Sequence, residues 1–124
     1  MVNFWAPEAV PGQFKGRLFY QHNPNVTLMR TNEEESRRLG AIMAEKLNMS
    51  RAPVTVILPM KGVSMIDAPG GTFWWPEANL ALFNSLRTNL RTDIPVVEMD
   101  CNINAPEFAD ACAQALLDNI SGQR

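Results

Sequence analysis

The chain has 124 residues, 46% of them hydrophobic, with 11 basic against 13 acidic side chains and a formal net charge of -2. This length fits one domain with a modest core. The acidic balance and the absence of any Lys/Arg cluster argue against a nucleic-acid partner, and no apolar run reaches the roughly eighteen residues of a membrane span.

Residues 1–16 carry Phe4, Trp5, Pro7, Pro11 and Phe14 without periodicity and are expected to be an irregular segment whose aromatics something else covers. They have neither the basic nor the apolar region of a signal peptide, so a cytoplasmic location is expected. Residues 17–21 read as a short strand, and His22-Asn23-Pro24-Asn25 as the turn that follows it. Thr31 or Asn32 then caps a helix over 33–47, since Glu34 and Glu35 each stand three residues after one of them. Its apolar face is expected at Leu39, Ile42, Met43 and Leu47.

Pro53 introduces a second strand over 54–58, whose apolar and β-branched run fits burial on both faces of a parallel sheet. Pro76 opens a second helix with Ala78, Leu82, Phe83, Leu86 and Leu90 on one side. A third strand follows over 94–99. Asn104, Pro106 and Glu107 mark the start of a third helix, which buries Phe108, Ala111, Cys112, Ala115, Leu116 and Ile120 and ends at Gly122. This order predicts a single α/β domain over 1–124. It would be a two- or three-layer Rossmann-like fragment with a short parallel sheet of about three strands, three helices and open sheet edges.

The segment between the second strand and the second helix is too long for an ordinary connection, which runs about four to six residues. It holds Met60, Val63, Met65, Ile66, Phe73, Trp74 and Trp75 but only Lys61 and Asp67 as charges, so it is expected to be ordered, its apolar side chains packed against a neighbour outside the chain. In open α/β sheets ligands bind beyond the carboxyl ends of the strands. Those ends carry His22, Asn23 and Asn25, then 59–75, then Asp100, Asn102 and Asn104.

Lys61-Gly62-Val63-Ser64 and Gly70-Gly71 offer backbone N–H groups, a hydroxyl and a point charge to an anion, or else serve tight turns. They lack P-loop spacing and contain no Gly-x-Gly-x-x-Gly. A catalytic reading pairs His22 with Asp67 or Asp100 and aims it at Ser64, but no second glycine follows Ser64 as a nucleophile elbow requires. Asp67 either holds the loop through its N–H groups or acts as a base. Cys101 and Cys112 read as free thiols, and no metal pattern is present. The candidate ligand-binding set is therefore His22, Asn23, Lys61, Gly62, Ser64, Asp67, Gly70 and Gly71, with no catalytic residue assigned and the question of an enzyme left open.

The run Leu58-Pro59-Met60-Lys61-Gly62-Val63-Ser64-Met65-Ile66-Asp67-Ala68-Pro69-Gly70, with Phe73 and Pro76-Glu77-Ala78, resembles the signature of a family of uncharacterised bacterial proteins related to the tomato mosaic virus resistance protein. Phe14-Lys15-Gly16-Arg17, His22-Asn23-Pro24, Arg30-Thr31 and Asn102-Ile103-Asn104 resemble it too. The resemblance covers essentially the whole chain. It implies a two-part α/β protein of which this chain is the second part, with ATP as the candidate cofactor; no metal is expected from the residues themselves. It further implies a nucleotide or other phosphorylated small molecule bound together with an N-terminal domain of the same protein. A component acting on a small carboxylated or phosphorylated metabolite, a protein-interaction module and a homodimer are the alternatives.

Overall fold

The structure, a computed structural model, describes residues 1–122. The chain falls into two compact units that divide between Asn32 and Glu33.

The first unit is an antiparallel sheet of β1 (Val2–Phe4), β2 (Phe19–Asn23) and β3 (Val26–Met29), with β3 in the middle. Two single turns of 3-10 helix, Pro7–Ala9 and Gly12–Phe14, link β1 to β2, and the rings of Phe4 and Phe14 meet at 5.5 Å. Two expectations are corrected here. Residues 1–16 are not irregular throughout, and the strand near 17–21 does not enter a parallel sheet. The reason is the connection: Pro24 and Asn25 form a two-residue turn, closed by the Asn25 N–H donating to Asn23 Oδ1 at 2.8 Å. A two-residue link joins only antiparallel strands, because a parallel pair needs a crossover of a dozen residues or so. His22 and Asn23 thus belong to a strand rather than a turn.

The second unit runs α1 (Glu33–Asn48), β4 (Val56–Pro59), α2 (Pro76–Asn89), β5 (Val96–Met99) and α3 (Pro106–Ser121). β4 and β5 pair in parallel from Val56↔Val96 to Pro59↔Met99. The parallel sheet therefore has two strands among the described residues, not about three, because the first expected strand is spent in the hairpin. Val56 and Leu58 on one face of β4 join Ala44, Phe83, Leu86 and Ile94 in the core. Thr55 and Ile57 look to the other face, where the Thr55 hydroxyl and Asn119 of α3 hydrogen-bond at 3.3 Å.

The helices follow their expected bounds, but two of their buried faces do not. On α1 the buried residues are Ser36, Gly40 and Ala44, while Leu39, Ile42 and Met43 are exposed. Spaced four apart, these small residues let α2 approach closely: a Cβ on Gly40 would run into the Leu82 carbonyl oxygen, and Ser85 Oγ donates to the Arg37 carbonyl at 2.7 Å. On α3 only Phe108 is buried, whereas Leu116 and Ile120 are 60% and 75% exposed. Two strands are too narrow to cover the apolar face of this helix. Its cap also differs, with Ala105 rather than Asn104 at the N-cap and no side-chain bond there, while Gly122 ends it at φ 69°.

Candidate functional site

The segment from Met60 to Trp75 is built around one carboxylate. Asp67 is 1% exposed, its Oδ2 accepting from the Val63 N–H at 2.9 Å and from Asn79 Nδ2 at 2.9 Å, its Oδ1 from the Trp75 N–H at 3.4 Å. These bonds tie the start of the loop, its end and the first turn of α2 to one group. Both carboxylate oxygens thus act as acceptors.

Asn102, just past β5, holds the same loop from its other side. Its Nδ2 donates to the carbonyls of Lys61, Ser64 and Asp67 at 3.3, 3.0 and 3.2 Å. Its Oδ1 accepts from the N–H and Nδ2 of Asn104 at 3.0 and 3.1 Å. The backbone completes the join: the Lys61 N–H donates to the Cys101 carbonyl and the Ile103 N–H to the Gly62 carbonyl, both at 3.0 Å. Gly62 sits at φ 125°, and a Cβ there would collide with the Asp67 carbonyl oxygen. Only glycine meets both conditions.

The candidates in this loop are brought together, but in different states. Lys61 and Asp100 are exposed and paired at 3.3 Å between Nζ and Oδ1. Ser64 Oγ accepts from the Ile66 N–H at 3.2 Å. Gly70, at φ 82°, has open space around it, while a Cβ on Gly71 would strike the Ile66 carbonyl. Phe73 is fully buried, Val63 and Met60 pack on the core, and Met65 is exposed. Ile66, Trp74 and Trp75, like Val63 and Met60, are half-buried, so of the loop's apolar side chains Phe73 alone is fully enclosed by this chain.

His22 and Asn23 lie in the first unit, on β2. The His22 ring stands 6.2 Å from that of Tyr20. Both oxygens of Asp67 accept from donors of the loop and of α2. Asn79 escaped the sequence reading altogether; the available signal was an amide beside Ala78 on the apolar side of α2, a poor place for it unless it has a partner. Among the described residues no group of three metal-ligating side chains occurs. Burial pushes the Cys101 thiol above its ordinary value, and the charges of Glu107 and Asp100 push it further; Cys112 is exposed. Among the described residues no helix is long and apolar enough to cross a membrane.

Residues 1–120 match the family described as "Uncharacterised protein family (UPF0261) C-terminal domain". A UPF0261 protein of Rhizobium meliloti (strain 1021) is 48% identical over 120 residues, which are 95% of this chain and 30% of that protein. A UPF0261 protein of Clostridium tetani is 46% identical over 119 residues, with the same shares. The ToMV resistance protein Tm-1(GCR237) of Solanum lycopersicum is 40% identical over 120 residues, 95% of this chain and 16% of that protein. The chain therefore spans less than a third of the length of these relatives. Matched along nearly its whole length, it belongs to the UPF0261 family through that family's C-terminal domain.

Proposed function

We propose that the face beyond the carboxyl ends of β4 and β5 binds a nucleotide or another phosphorylated small molecule, with ATP as the first candidate. The observation that carries this reading is the preorganised loop. Asp67, Asn79 and Asn102 fix its backbone before any ligand arrives, so little ordering entropy is left to lose on binding. Lys61 supplies charge, Gly62 and Ser64 the adjacent backbone and hydroxyl, and Gly70 and Gly71 a close backbone approach. The Lys61–Asp100 pair is exposed and worth under about 1 kcal/mol, so a phosphate can displace the carboxylate. In this reading Asp67 is a positioning residue.

The reading includes the N-terminal part of the longer relatives as the second wall of the site. Titration calorimetry tests it, with ATP and inorganic phosphate injected into this chain and into a full-length member. Heat from the full-length protein, and a roughly tenfold weaker affinity in Lys61→Ala, are expected, as for one lost charge-assisted bond. Absence of heat from both proteins at about millimolar ligand, a concentration that detects even weak binding, overturns the reading.

A further inference from the structure

Among the described residues β4 has a strand partner on one side only. Val56 donates to the Pro95 carbonyl and Met60 to the Met99 carbonyl, both at 2.9 Å, so the even-numbered backbone groups face β5. In a parallel strand the odd-numbered groups then point the other way. The N–H and C=O of Ile57 and the carbonyl of Thr55 therefore line a free edge, which ends where the Pro59 carbonyl accepts from the Gly62 N–H at 3.2 Å; Pro59 lacks an N–H on that side without weakening its pairing to β5.

This edge is not flat against solvent. It forms the floor of an apolar groove of about 680 Å³, walled by Met43, Leu47 and Leu82 from α1 and α2 and by Phe108, Cys112 and Leu116 from α3. Met43 and Leu116 stand exposed at its rim. A further 410 Å³ gap separates α3 from Ile57 and Val97 on the outer face of the sheet. Both observations describe one deficiency: the helices are spaced for a sheet wider than two strands.

The geometry points to the edge of β4 as the seat of one more strand, contributed by the part of the longer UPF0261 proteins that this chain does not span. The floor requires a strand, because unpaired backbone donors and acceptors in an apolar groove are matched by strand addition and not by a helix. The walls require an apolar run without polar alternation, because both faces of the inserted strand meet apolar side chains. Relatives of which this chain covers 30% have the polypeptide to supply it. A second copy fits less well: it would have to bring its own β4, recessed between its own helices, into a groove already walled on both sides. The inference does not depend on the ligand proposal, since the groove and the loop ligand face are tested by different measurements.

Amide hydrogen exchange along β4 decides it, in a full-length Rhizobium meliloti member in which this chain replaces the matching segment. Val56 and Leu58 serve as internal references, because β5 protects them in any folded protein. The expected result is that Ile57 exchanges as slowly as these two in the full-length protein, about a hundredfold or more below an unprotected amide. In the isolated chain the three should alternate, with Ile57 fast. Leu116→Glu, at an exposed rim position, should restore fast exchange at Ile57 in the full-length protein, whereas Leu117→Glu, on the same helix and outside the groove, should not. Fast Ile57 exchange between slow neighbours in the full-length protein overturns the inference. Ile57 protection that falls on dilution also overturns it, by giving the edge to a second copy.

Discussion

Asp67 shows how a single side chain can decide the shape of a long segment. It lies between Ile66 and Ala68 in sequence, where a carboxylate looks misplaced, and in the fold it accepts from two backbone N–H groups and the Asn79 amide. Asp67→Ala leaves those donors unpaired, at about 1–3 kcal/mol for each buried group, so urea denaturation should show a loss of about 3 kcal/mol or more. Asp67→Asn keeps the size but turns one acceptor into a donor facing a donor, and should lose nearly as much. Cys101 and Cys112 give a second contrast at this scale. Burial and the charges of Glu107 and Asp100 raise the Cys101 thiol, so its thiolate develops at higher pH than that of an ordinary cysteine. Alkylation near neutral pH should mark Cys112 well before Cys101, and the gap should narrow as pH rises; equal rates at neutral pH would contradict the assigned environment.

The pairing of α1 with α2 turns on small residues. Leu39, Ile42 and Met43 recur at helical spacing, and periodicity assigns the buried face to them, yet Ser36, Gly40 and Ala44 take it. Periodicity measures apolar area, whereas close helix contact selects for the absence of side chain. Gly40→Ala separates the two effects. Helix propensity alone favours alanine by about 0.5–1 kcal/mol. Against this, the new Cβ meets the Leu82 carbonyl oxygen, a backbone atom that cannot rotate away, and overpacking typically costs about 1–3 kcal/mol. The expected outcome is a lower thermal midpoint; a higher one would mean that α1 and α2 are not in close contact at this position. For α3 the same periodicity finds the helix but not its burial, because the sheet it should cover is two strands wide.

Across the whole molecule, two compact units stand where a continuous alternation of strands and helices reads as one domain. The sequence by itself determined the three helices nearly to their ends, two strands that it placed at 54–58 and 94–99 and that form at 56–59 and 96–99, the family, and an ordered segment after β4. These are local properties: proline at helix starts, β-branched runs, periodicity and a motif long enough to be specific. Tertiary structure alone decided which strands pair. The run near Phe19 has the same apolar, aromatic character whether it joins a parallel sheet or a hairpin, and only the two-residue link to Val26 settles it, through the geometry of reversing the chain. It also decided the roles within the loop. Asn79 and Asn102 are 23 residues apart in number and meet on the same segment, a convergence that no spacing rule encodes because it depends on where β5 ends relative to α2. And it exposed the free edge of β4, since a strand's hydrophobicity says that both faces are buried but not how many neighbours its backbone has found.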